Sequence, residues 1–80
     1  MMNIRVSGGN VTATTAYSDF QMISIVNQEE SGGDNATVTL NGGIIRIKPG
    51  QSWSLPYVGK PYGSITFNPG SADCDVTVIY

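Results

Sequence analysis

The chain contains no histidine and a single cysteine, Cys74. The first absence removes the commonest general base and the commonest metal-binding side chain. The second removes any disulfide within the chain, so Cys74 can pair only between chains. One thiol without histidine cannot build a tetrahedral zinc site either, and no cofactor or metal is expected. Charge is scarce as well: Asp, Glu, Lys and Arg make up 12% of the residues, about half the usual share. Four basic residues, Arg5, Arg46, Lys48 and Lys60, are too few to track a phosphate backbone, so nucleic acid is not an expected partner. No apolar stretch approaches the length of a membrane span, and no membrane partner is expected. The opening Met1-Met2-Asn3-Ile4-Arg5 runs into Ser-Gly-Gly and not into an apolar run, so the expectation is synthesis in the cytoplasm with no signal peptide.

What remains is a short chain rich in turn residues. Its 80 residues make a single domain, 1–80, near the lower limit of what folds unaided. Small domains close their stability gap with disulfides, a metal or association. With the first two removed by composition, a homo-oligomer or a particle-bound domain is expected.

Turn signals cut the chain at regular intervals: Gly-Gly-Asn at 8–10, Ser-Gly-Gly-Asp-Asn at 31–35, Asn-Gly-Gly at 41–43, Pro-Gly at 49–50 and Asn-Pro-Gly at 68–70. The pieces between them mostly alternate apolar and polar residues, the period of a half-buried strand. Ala36, Val38 and Leu40 alternate with Thr37 and Thr39, and Ile45 and Ile47 with Ile44, Arg46 and Lys48. Asn-Gly-Gly between them supplies the positive φ angles of a hairpin turn. Further strands are expected at Trp53 and Leu55, at Ile65 and Phe67, and from Cys74 through Val76 and Val78 to Tyr80. In the first half, Ile4 and Val6 suggest an opening strand, and Val11 and Ala13 a second. Residues 19–27 are apolar on both faces, with Ile23 and Ile25 on one side and Phe20, Met22 and Val26 on the other. Such a strand is expected to be covered both by a second sheet and by a neighbouring strand, chain or subunit. A helix over 14–22 is the alternative, and Thr14, Thr15 and Ser18 argue against it. The whole reads as an all-β domain, a small antiparallel β-sandwich or barrel of seven to eight short strands.

Such a domain leaves little room for a catalytic cleft, and no catalytic residue is assigned. Cys74 falls at an inward position of the last strand, where it serves as a small hydrophobe. The acidic segment Glu29-Glu30-Ser31-Gly32-Gly33-Asp34-Asn35 offers hard oxygen ligands. It lacks the spacing of a calcium loop and reads as a solvated hairpin connection. The most distinctive stretch is Leu55-Pro56-Tyr57-Val58-Gly59-Lys60-Pro61-Tyr62-Gly63, with two Pro-Tyr steps around a Val-Gly-Lys turn. Prolines limit the entropy lost on ordering, and tyrosines present an apolar face with a polar edge. Tyr57, Val58, Pro61 and Tyr62 are therefore candidate partner-binding residues, with Phe20 and Met22 as a second patch; packing over the open end of the sandwich is the alternative for Tyr57 and Tyr62. Trp53 together with Tyr57 and Tyr62 would make a carbohydrate-stacking platform. Its alternation in phase with Leu55 places Trp53 in the core instead.

From Ile25 to Tyr80 the order is a strand, a polar loop, Ala-Thr-Val-Thr-Leu, Asn-Gly-Gly, a strand, Lys-Pro-Gly-Gln-Ser-Trp, Leu-Pro-Tyr and two closing strands. This resembles the small β-sandwich modules of tailed-bacteriophage virion proteins, such as capsid decoration proteins, head fibres and tail parts. The resemblance covers about two thirds of the chain and rests mostly on turn chemistry. It implies a non-enzymatic structural subunit of a virion, most simply a capsid-associated decoration or accessory protein. Its partners would be other copies of itself and a larger coat or tail protein. Two other functions fit the same residues: a carbohydrate- or host-surface-binding module, and a small inhibitor of a host protein.

Overall fold

The computed structural model describes residues 6–80, and within them eight strands and no helix. These are β1 (Val6–Val11), β2 (Thr15–Tyr17), β3 (Met22–Asn27), β4 (Ala36–Leu40), β5 (Gly43–Ile47), β6 (Ser52–Leu55), β7 (Ile65–Asn68) and β8 (Cys74–Ile79). They form two antiparallel sheets of four, in the orders β1-β8-β3-β6 and β2-β7-β4-β5. The pairing is nested: β1 with β8, β2 with β7, β3 with β6 and β4 with β5. The chain is thus one long hairpin rolled up, and the pairs β3–β8 and β4–β7 complete the two sheets. This is jelly-roll order.

Alternation decides which side chains face the gap between the sheets. Ile23, Ile25, Cys74, Val76 and Val78 from the first sheet cluster with Ala36, Val38, Ile47, Ile65, Phe67 and Tyr17 from the second. All are buried, and Trp53 and Leu55 pack half-buried against them. The turns follow from local chemistry. Asn41 (φ 50) and Gly42 (φ 81) are both left-handed, so the β4–β5 turn has the type I′ form that matches strand twist. At the β5–β6 corner Pro49 precedes Gly50 (φ 79), and the Gln51 N–H donates to the Lys48 carbonyl at 3.0 Å. That is a type II turn, with proline fixing its first corner and glycine taking the positive φ.

Three expectations need correction. Gly-Gly-Asn at 8–10 is not a turn. β1 runs straight through it, paired with β8 from Val6↔Ile79 to Val11↔Cys74. Glycine signals either a turn or a strand position whose backbone L side chains disfavour, and here the second holds, since Gly9 sits at φ +139 with open space where a Cβ would be. The second strand lies at 15–17 and not at Val11–Ala13, while Ile4 lies outside the described residues. Lastly, among the described residues no neighbouring strand covers the outer face of β3, where Val26 is exposed and Met22 half-buried, so of the covers expected there only another chain or subunit is left open.

Candidate interaction surface

The nested pairing gathers the connections at two ends. Residues 12–14, 28–35, 48–51 and 69–73 lie at one end, and residues 18–21, 41–42 and 56–64 at the other. Five of the six carboxylates, Glu29, Glu30, Asp34, Asp73 and Asp75, sit at or beside the first end. The Pro-Tyr segment occupies the second.

The first end is held by hydrogen bonds. Asn27 is fully buried at the end of β3, and its Nδ2 donates to the Asp34 carbonyl (3.0 Å) and the Ile47 carbonyl (2.9 Å). Its Oδ1 accepts from the Glu29 N–H (3.0 Å). The carboxylates beside it are engaged by neutral donors. Asp73 N–H donates to Glu29 Oε2 (3.1 Å), Gln28 Nε2 to Asp75 Oδ2 (3.0 Å), and Asn10 Nδ2 to Asp73 Oδ1. Among the described residues, no group of three or more Cys, Asp or Glu is placed to hold a metal ion. Gly33 packs directly on Glu29: a Cβ there would lie 2.7 Å from the Glu29 Cβ. The acidic loop is a folded connection built around Glu29.

The second end carries the candidate contact residues and separates them into two kinds. Tyr62 is half-buried, and its ring stacks on Phe20 with centroids 5.3 Å apart and planes 22° apart. Its hydroxyl donates to the Pro56 carbonyl, and its backbone pairs with residues 19 and 20: Asp19 N–H to Tyr62 carbonyl (3.1 Å) and Tyr62 N–H to Phe20 carbonyl (2.8 Å). Tyr62 thereby closes the segment 56–62 on itself and fastens it to the end of the sandwich. Tyr57 and Val58, at the tip, are 58% and 56% exposed, and Lys60 and Pro61 are exposed beside them.

Phe20 is not part of a surface patch, since it is fully buried. The alternation that placed it outward assumed a strand from Asp19, but β3 begins at Met22. Asp19 instead adopts a left-handed φ of 56°, which turns the chain and sends Phe20 under Tyr62. Met22 remains half-buried on the outer face, opposite Ile79. Trp53 packs against the core, so Trp53, Tyr57 and Tyr62 do not form one exposed aromatic plane.

A cavity of about 90 Å³ lies beneath β1, lined by Gly8, Gly9, Asn10, Val11, Tyr17, Val76 and Val78. It exists because glycine leaves the inner face of β1 bare. Burial raises the Tyr17 phenol above its ordinary pKa, as does the nearby Tyr80, against a hydrogen bond with Thr15. Burial likewise raises the Cys74 thiol, helped by the charges of Asp73, Glu29 and Asp75. A buried thiol pushed upward is a poor nucleophile.

Sequence reasoning missed two residues. Asn27 ends a strand whose inward positions are otherwise apolar, and that one break in the pattern was its signal. Ile44 is 69% exposed on the outer face of β5, a position readable from its alternation with Ile45 and Ile47.

No family model matches the chain, and no characterised protein or solved structure matches it either.

Proposed function

We propose that this chain is a non-enzymatic structural subunit of a tailed-phage virion, a capsid-associated decoration or accessory protein that stabilises the particle through protein–protein contacts. The observation that carries the reading is the segment 56–62. Two large apolar side chains, Tyr57 and Val58, stand more than half exposed on a loop whose feet are tied by Tyr62. A loop already held in place loses little further entropy when a partner covers it, so its apolar area converts efficiently into affinity. Jelly-roll order agrees with this reading without establishing it, because the same architecture serves capsid and lectin domains alike. The resemblance noted in residues 25–80 supplies the phage context.

Mass spectrometry of purified particles, combined with sizing of the isolated protein, tests the proposal. The chain should be present in stoichiometric amount on the particle, and Tyr57→Ser with Val58→Ser should release it. A chain absent from particles, or one retained after both substitutions, overturns the reading.

A further inference from the structure

The four sheet edges differ in how far they are closed to further pairing. β2 is three residues long, β1 contains Gly9 at φ +139, and β6 runs four residues into Pro56. β5 has five residues and no proline, in unbroken register with β4 from Ala36↔Ile47 to Leu40↔Gly43. Sheet edges of this kind are normally shielded by lysine, proline, bulges or inward charges. Lys48 and Pro49 follow β5 as Pro56 follows β6, but β5 has none of these between Gly43 and Ile47, and it carries Ile44, 69% exposed.

The hydrogen-bonding phase of β5 follows from its turn. Leu40 and Gly43 flank the Asn41-Gly42 turn and form a hydrogen-bonded pair, as do Val38–Ile45 and Ala36–Ile47. Thr39–Ile44 and Thr37–Arg46 are the alternate, non-hydrogen-bonded pairs. The backbone N–H and C=O groups of Ile44 and Arg46 therefore point away from β4, toward an edge that no described strand covers.

We propose that β5 pairs antiparallel with β5 of a second copy about a two-fold axis at Ile45, joining two four-stranded sheets into one of eight. In this register Ile44 exchanges both backbone hydrogen bonds with the partner's Arg46, and Ile45 meets its own counterpart in a non-hydrogen-bonded pair. On the outer face each Ile44 is covered by the aliphatic stem of the partner's Arg46. Centring the pair on Arg46 would oppose two arginines directly. Centring it on Ile44 would spend Arg46 on the left-handed Gly42 of the turn. The Ile45 register alone satisfies the edge groups without opposing like charges. The contact is independent of the Tyr57–Val58 loop and of the virion reading. It is small, so weak pairing in solution is expected.

Sedimentation of the full chain across the micromolar to submillimolar range tests the pairing. A reversible monomer–dimer equilibrium is expected. Arg46→Pro removes one edge-facing N–H and no bond to β4, and Ile44→Lys adds an edge charge. Each should weaken the dimer by about tenfold or more, with secondary structure unchanged. Ile45→Cys should give a disulfide-linked dimer under mild oxidation, because the Cα separation of such a cross-strand pair, about 4.5 Å, suits a disulfide. A monomer throughout the range overturns the proposal. So does a dimer that survives both edge substitutions, or one that Tyr57→Ser abolishes.

Discussion

Asn27 and Ile47 lie in different sheets and are joined by a hydrogen bond of 2.9 Å from the Asn27 side chain to the Ile47 carbonyl. The same amide reaches the Asp34 carbonyl and accepts from Glu29, while its backbone pairs with Gln51 and Gly50. One buried side chain thus fixes the end of β3, the acidic loop and the end of β5. Neither sheet could satisfy these groups alone.

Removing that amide strands its partners. Asn27→Ala should leave the buried Ile47 carbonyl and two part-buried groups, the Asp34 carbonyl and the Glu29 N–H, without their partner. The expected loss is about 2–4 kcal/mol, at the high end for a single substitution. Urea unfolding measures it; a loss below about 0.5 kcal/mol would mean that water replaces the amide freely.

Tyr57 and Tyr62 share a loop and should behave oppositely. Tyr62→Ala removes the stack on Phe20 and the tie to Pro56, and should cost about 2–3 kcal/mol. Tyr62→Phe keeps the stack and should cost about 1 kcal/mol. Tyr57→Ala lies at an exposed tip and should stay within about 0.5 kcal/mol of the parent. Thermal or urea unfolding of the three variants separates a positioning role from a contact role.

Alkaline stability follows from Cys74 and Tyr17. Burial raises both groups above their ordinary values of 9.0 and 10.0, so the folded chain keeps these protons to higher pH than the unfolded chain. Their contribution is complete below the ordinary values and is lost as pH rises through the raised ones. Unfolding midpoints should therefore fall above about pH 9, and Cys74→Ala should remove the earlier part of that fall. A flat profile for the parent chain between pH 8 and 11 would contradict the shifts.

Gly33 and Glu29 make a further check. A methyl group at position 33 would collide with Glu29, whose carboxylate holds the Asp73 N–H. Gly33→Ala should destabilise by about 1–2 kcal/mol and shift the Asp73 amide resonance. Gly32→Ala is the contrasting variant, since Gly32 has open space and only its φ of 91° to penalise it.

Local chemistry was legible in the sequence, and long-range pairing was not. Asn41-Gly42 and Pro49-Gly50 announced their turns because few residue types accept those dihedral angles. The inward rows of β4, β7 and β8 were readable because each faces the core on one side only. The nested order left no local mark, since β1 pairs with β8 across almost the whole chain. Gly8 and Gly9 misled because the same residue serves a turn and a strand position of positive φ. Phe20 misled because alternation was carried past the end of β3 into a left-handed Asp19. Of the candidate contact residues, Tyr57 and Tyr62 were open in the sequence between packing over the end of the sandwich and reaching outward, and only folding separates them. Tyr62 needed a partner, Phe20, that only folding brings near.

Hydrogen exchange on the free protein and on purified particles carrying it tests attachment through the second end most directly. Amides in 57–61 should exchange freely in isolation and slow by about tenfold or more on the particle, while those at the acidic end keep their rates. Equal rates across 57–61 in the two states, or protection confined to 28–35, would contradict it.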